Sequence, residues 1–401
     1  MRTHGQPGPD AAGSDQAASL PLVVATTLRP DGNTGIHAHV RQLRQYLDQH
    51  GTPSTLVTPF DWGGLLRYPV FGARRLALDW WSRPAGVLWY RFWHEEFLRR
   101  ALRRLLASQG DCVVYAQDPL AAAAALRARH GPHQRVVLAV HFRISNADEY
   151  ADSSELARGG RAFRAVREFE RRTIPRTDGL VYVSQWGQEA LVGWLPEAAD
   201  VPAAVIGNFV EPLPPTADQE PLGDLVTTGR LEPAKNHRYL LEVVAEAKRQ
   251  GRLFSLDIFG EGPSRDELVR QAGALGVDGQ VRFRGFQRDV RTSLPRYRAY
   301  VHASYSESLP LAIIEAMAAG LPIVAGDTGG INELCDDGIE ARFWPLDDPA
   351  RAAETLIALM DSEPARRKAA LAAHERFGRD FDAAVVAPKL IAFLGASAAI
   401  R

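Results

Sequence analysis

Two glutamates, Glu307 and Glu315, bracket the apolar run in ESLPLAIIEAMAAGLPIVAGDTGG. Ser308 reads as an N-cap, Pro310 as an early helical residue, and Gly320 with Pro322 as the stop, so the run is a helix. Glu307 then lies in the loop before it and Glu315 in its second turn. A carboxylate among Ala, Ile and Met side chains is costly unless something donates to it. Free backbone N–H groups at a helix start favour an anion such as phosphate, and a carboxylate accepts from two neighbouring hydroxyls at once. Together these suit a sugar nucleotide. On spacing alone, an arginine partner for Glu315 and a solvated Glu307 fit equally well.

In TTGRLEPAKNH, Gly229 and Arg230 leave a strand while Lys235 and Asn236 enter a helix. Two cations at the C-terminal end of a strand, where open α/β sheets bind ligands, are placed to clamp a diphosphate through a guanidinium fork and a point charge. IFGEGPSRDEL has Gly260 and Gly262 but lacks the third glycine of a dinucleotide fingerprint, so a nicotinamide cofactor is not indicated. RGFQRDV, Arg284 to Val290, is a similar strand-end loop, and simple turn structure accounts for either loop as well as ligand contact does. Earlier in the chain, RPDGNTGIHAHV places Gly35 at a loop-to-helix junction, with His37 and His39 as packing or capping residues. His141 ends the apolar run of VVLAVHFRIS and faces the same crevice. The Asp380 to Asp382 pair reads as the cap of a terminal helix and not as a magnesium site, and there is no P-loop or G-x-S-x-G elbow.

The elements that would carry these residues alternate. LPLVVAT, TPSTLVTP, CVVYAQ, RVVLAVH and GLVYVS are strands with helical stretches between them. After the proline-rich, aperiodic EPLPPTADQEPLG the alternation restarts with DLVTTG, FSLDIFG, VRFRG, AYVHAS and PIVAG. The expected division is a disordered tail over 1–19, a first domain over 20–211, a second over 222–380 and a terminal helix over 381–401. The class is α/β, with two open parallel sheets. The 401 residues, 46% hydrophobic and 24% charged, suffice for two cores. A net charge of −1 supplies no field to recruit nucleic acid. Cys112 and Cys335 are too few and too far apart for a disulfide framework or a zinc site, which suits a reducing cytoplasm. No run is long and apolar enough to span a membrane. Between Phe60 and Leu106, tryptophans (62, 80, 81, 89 and 93) interleave with arginines. They form either a surface for lipid headgroups or helices covering the first sheet, Trp inside and Arg in water.

Taken in order, GRLEPAKNH, FGEGPSRDEL, VRFRGFQRDV and ESLPLAIIEAMAAGLPIVAGDTGGINEL resemble the retaining nucleotide-sugar glycosyltransferases of family 4, including their E-x7-E pattern. TGIHAHV looks like the family's double-glycine loop, with Thr34 in place of the first glycine. IGNFVE looks like its P-N-G-V-D segment, with Gly207 and Phe209 around Asn208. Both departures fall toward the acceptor side. The resemblance implies the GT-B fold, two Rossmann-like domains facing across a cleft, with the terminal helix packing back toward the first. It further implies that Arg230 and Lys235 contact the donor diphosphate, that Glu315 holds the ribose, and that Glu307 holds the transferred sugar with backbone from Ser308, Leu309 and Pro310. Phe286 and Gln287 lie near the base, Gly35, Gly229 and Gly260 allow close approach, and His141 stands beside the sugar. No enzymatic nucleophile, metal or other cofactor is implied.

The implied partners are a nucleotide-sugar donor, most readily a UDP-sugar, and an acceptor that is a small molecule or a glycan, with peripheral membrane association left open. Acidic Asp148 and Glu149 suggest an amine-bearing acceptor such as an aminoglycoside core, whereas the Trp/Arg stretch points to cell-envelope glycans or lipids. A sugar-nucleotide-binding scaffold without activity, or an epimerase turning over donor without acceptor, are the rival classes.

Overall fold

The structure, a computed structural model, describes residues 21 to 30, 32, 34 to 64, 70, 82 to 214 and 220 to 399. The expected tail over 1–19 and the tryptophans at 80 and 81 lie outside the described residues. Among the described residues, twelve strands form two six-stranded sheets. The first holds β1 (Leu22–Ala25), β2 (Ser54–Val57), β3 (Cys112–Ala116), β4 (Gln134–Val140), β5 (Gly179–Tyr182) and β6 (Ala203–Val205), in the order β2-β1-β3-β4-β5-β6. The second holds β7 (Leu225–Thr228), β8 (Leu256–Phe259), β9 (Val281–Gly285), β10 (Ala299–His302), β11 (Ile323–Ala325) and β12 (Ala341–Phe343), in the order β12-β11-β10-β7-β8-β9. The strands pair in parallel throughout, from β1 on β2 and β3 to β8 on β9. β6 and β12 are additions to the sequence reading: both are three-residue edge strands with incompletely buried positions, whereas the equally short β11 is buried throughout and shows as an apolar run.

Sheets buried on both faces demand apolar residues at every strand position, and alternate residues duly enter different cores. Val23, Val114, Val136 and Leu138 belong to one cluster, and Val24, Val113, Tyr115 and Val137 to another on the opposite face. Leu225, Leu256 and Val301 do the same against Val226, Tyr300 and Ile323 in the second sheet. The helix Arg83–Leu106 covers one face of the first sheet through Leu98, Ala101, Leu102 and Leu106. Trp62 stacks on Phe97 of this helix, ring centroids 4.8 Å apart, with Arg100 over the far side of the indole. For the described helix Arg83–Leu106 the covering-helix reading holds in part: it packs on the sheet, but Arg91 is buried, and Leu88 and Phe92 are exposed. Among the described residues no helix is long and apolar enough to cross a membrane. Cys112 and Cys335 are free and buried.

The opposite face of the first sheet is covered by the helices Gly35–Gln49 and Ala383–Ala399. The second of these supplies Ala383, Val386, Ala387, Leu390 and Leu394 to the core around Val24 and Tyr115. The chain thus crosses between the halves twice, and the two crossings touch where Val210 N donates to Phe381 O and Ala383 N to Val210 O.

Candidate active site

The C-terminal ends of both sheets open on one cleft of about 730 Å³. On the second-half wall, β7 delivers Gly229 and Arg230, and a 3-10 turn Pro233–Lys235 follows. Asn236 then takes a left-handed conformation (φ 51°), which starts the helix His237–Arg249 and leaves Lys235 over the cleft. Lys235 Nζ donates to Glu307 Oε1 at 2.5 Å, and His302 Nε2 at the end of β10 stands 3.4 Å from the same oxygen. Burial works against ionisation of Glu307, but the Lys235 ammonium and His302 outweigh it and hold the carboxyl well below its usual range. Glu307 is therefore ionised, oriented and aimed along the start of the helix Leu311–Ala318.

That helix begins two residues later than the sequence suggests. Pro310 is the N-cap, in extended conformation, and Ser308 is not a cap but a buried contact to Ser184 Oγ at 3.2 Å. Glu315 sits in the second turn, with Arg291 Nε 3.9 Å from its carboxylate. Burial raises the Glu315 carboxyl against the lowering influence of Arg291 and Arg41. Glycines allow the wall to close up. A Cβ on Gly260 would meet the Gly229 carbonyl oxygen at 1.8 Å. On Gly329 and Gly330, at the turn beneath Glu307 and Ser308, it would meet their carbonyl oxygens at 2.0 and 1.9 Å.

The first-half wall carries His141 immediately after β4. Gln117 Oε1 lies 3.0 Å from His141 Nε2; an amide oxygen only accepts, so Nε2 bears the hydrogen and Nδ1 remains an acceptor. Burial, with the His39 ring 4.7 Å away, drives His141 well below its ordinary value, and the imidazole is neutral. His39 itself is lowered to about 4 by burial. His37 caps the helix Gly35–Gln49 through Thr34. The halves are tied across the cleft floor. Asn208 Nδ2 donates to Leu309 O at 2.7 Å, and Glu333 accepts from Gln185 N and Trp186 N at 2.8 and 2.7 Å at the start of the helix Gln185–Trp194.

The cleft brings together His141, Arg230, Lys235, Glu307 and Glu315, with Gly35, Gly229, Gly260, Phe286, Gln287, Ser308, Leu309 and Pro310 also in its walls. Glu149 joins them, but Asp148 does not. Successive helical residues point about 100° apart, and in the helix Asn146–Asp152 this turns Asp148 inward. There it accepts from Arg158 Nη1 at 2.6 Å, from Ser145 Oγ at 2.8 Å and from Arg167. The expectation that Asp148 meets an acceptor is thereby corrected. Arg41, Gln117, Arg291 and His302, which the sequence analysis did not single out, also line the cleft. His302 alone had a signal, as a polar end to the apolar run AYVH. Among the described residues no group of three or more His, Cys, Asp or Glu side chains converges as a metal site.

Residues 33–212 match the family described as Glycosyltransferase Family 4, and residues 217–376 match Glycosyl transferases group 1. The alpha-D-kanosaminyltransferase of Streptomyces kanamyceticus is 30% identical over 155 residues, 38% of this chain and 40% of that one. The phosphatidyl-myo-inositol mannosyltransferase of Mycobacterium leprae is 26% identical over 367 residues, 89% of this chain and 91% of that one. In structure the chain is similar to Anabaena HepE, solved in complex with UDP and glucose, with a TM-score of 0.68 at 17% identity over 94% of this chain and all of the other. The fold is GT-B. The chain belongs to the family 4, group 1 type glycosyltransferases.

Proposed function

We propose that this glycosyltransferase is a retaining enzyme that moves a sugar from a UDP-sugar to a hydroxyl of an acceptor, without a metal ion. The observation that carries the reading is the Lys235, Glu307 and His302 cluster at the start of the helix Leu311–Ala318, with Glu315 one turn further along the same helix. A diphosphate laid on that helix start is met by the Lys235 and Arg230 charges and by free backbone N–H groups. Glu315 accepts from the ribose hydroxyls and Glu307 from those of the sugar. The choice of UDP is supported by the fold neighbour that binds it.

In the reaction the bond from the anomeric carbon to the diphosphate oxygen breaks. The acceptor oxygen bonds to the same face of that carbon, and the acceptor proton passes to the departing phosphate oxygen. The protein contributes placement and stabilisation of the charge that develops on the leaving group. His141, neutral and held by Gln117, offers Nδ1 to a sugar hydroxyl from the opposite wall. The acceptor is a small soluble metabolite; cell-envelope glycans and lipids are the alternative, supported by the match to a phosphatidyl-myo-inositol mannosyltransferase. Of the two carboxylates that suggested an amine-bearing acceptor, only Glu149 faces the cleft.

The test is a panel of UDP-, GDP- and dTDP-sugars, with acceptor mixtures and with EDTA, read by nucleotide release and by NMR of the product anomer. Transfer from a UDP-sugar with the donor's anomeric configuration, undiminished by EDTA, is expected. Inverted product, EDTA-sensitive transfer, or nucleotide binding without transfer would each overturn a stated part, the last bringing the scaffold reading forward.

A further inference from the structure

A second cavity, of about 790 Å³, lies beside the cleft. Its walls are the outer side of the helix Gly35–Gln49, the loop after β1 and the loop after β9. Ile36, Arg41, Gln45, Phe286 and Arg288 line both spaces, so the cavities share a wall. Four guanidinium groups, from Arg29, Arg41, Arg44 and Arg288, line the second one against the single carboxylate of Asp48. Among the described residues none of the four forms an ion pair, whereas Arg129, Arg158, Arg282 and Arg376 each do.

Like charges around one space repel; Arg29, Arg41 and Arg288 are exposed and partly screened by water, and a counter-charge inside the space relieves the repulsion that remains. Arg41 and Arg44, three residues apart on one helix, are neighbours on the same side and add to that repulsion. Arg44 Nε is in addition cut off from solvent with no hydrogen-bond partner, a donor waiting for an acceptor that the chain does not supply. Beneath these groups the cavity is apolar, with Leu28, Ile36, Val40 and Leu56 in its lining.

We propose that this cavity is an acceptor subsite for a molecule that carries a phosphate group. The arginines hold the phosphate, and the apolar floor takes part of the body. The shared wall at Arg41 and Arg288 brings the acceptor hydroxyl into the cleft. The proposal rests on the glycosyltransferase reading for the word acceptor, but the anion site stands on the arginines alone. The same chemistry is presented by a soluble polyol phosphate and by a phospholipid headgroup.

Both sources are tested at physiological salt, where unspecific attraction between exposed charges is screened. Melting temperature is followed with glycerol 3-phosphate against glycerol, and sedimentation with phosphatidylcholine vesicles with and without phosphatidylglycerol, each in the presence and absence of UDP. The expected result is a response to the phosphate-bearing probe in one arm, which identifies the source. The doubly substituted Arg29→Gln, Arg44→Gln protein should lose about ten-fold in that affinity, the scale of one charge-assisted hydrogen bond. Its UDP affinity should stay that of the parent. No response to either probe, or a response that survives the double substitution, overturns the proposal. Failure of UDP to bind the parent protein would count against the donor site, while the arginine cavity is still judged by its own response.

Discussion

The two walls of the cleft handle charge in opposite ways. On the second-half wall the charged groups face partners of opposite sign: Lys235 donates to Glu307, Arg230 Nε to Glu232 at 3.1 Å, and Arg291 stands 3.9 Å from Glu315. Of these groups, Arg291 Nε and His302 Nε2 are the buried atoms left without a hydrogen bond among the described residues. Among the described residues on the first-half side, His39 Nε2 and Asn208 Oδ1 are buried without hydrogen-bond partners, and Arg41 has no ion pair. A wall whose charges hold each other in place needs little reorganisation to receive a fixed ligand. A wall with unspent donors and acceptors waits for its partner, and that partner can differ among proteins of one fold.

Substitutions should separate the two walls. Lys235→Ala removes a charge at the leaving group, and kcat/KM should fall about 10²–10³-fold. The melting temperature should fall as well, because the Glu307 carboxylate loses its counter-charge; steady-state rates and a thermal melt check both. His141→Ala should lower kcat by about 10²-fold while UDP affinity, measured by titration, is unchanged. A matching loss of UDP affinity would mean that the walls do not act separately.

Asp148→Asn should cost about 2 kcal/mol of stability, since Arg158 and Arg167 lose a buried partner, yet leave the acceptor KM unaltered. Denaturant unfolding and acceptor kinetics decide between this and a binding role.

The smallest effect is one of pH. Linkage gives the two glutamates opposite signs. The depressed Glu307 contributes stability above its ordinary value of 4.5 that is lost as pH falls through its folded value. The raised Glu315 takes up its proton at higher pH than usual, and its contribution is largest at low pH and lost as pH rises through its folded value. A protonated Glu315 accepts fewer hydrogen bonds, so UDP affinity should weaken a few-fold as pH drops from neutral toward its raised value. In Glu315→Gln, titration across the same range should show no such slope.

The same contrast governs what could be read from the chain. Gly229, Lys235, Glu307 and Glu315 sit at strand ends and at a helix start, positions set by backbone alternation, so spacing pointed to their places, while the roles expected of them came from the family resemblance. Arg291, Arg41 and Gln117 reach the cleft by side-chain direction across the fold, for which no local pattern exists. Asp148 and Glu149 illustrate the limit: adjacent acids in sequence, one turned into ion pairs and the other into the cleft, by nothing more than helical rotation. The start of the helix after Glu307 was misplaced because Pro310 suits the cap as well as the first turn. Domain-scale order was the easiest to see, because fully apolar strands between helical stretches admit few alternatives.

The helix Ala383–Ala399 covers the first sheet yet follows the whole second half in the chain. During synthesis the ribosome therefore completes β1 to β6 while one face of their sheet still lacks Val386, Leu390 and Leu394. At roughly 5–20 residues per second, that face waits on the order of 10 to 40 s for its cover. The half made first is the half finished last, and in that interval it is a natural client for a chaperone.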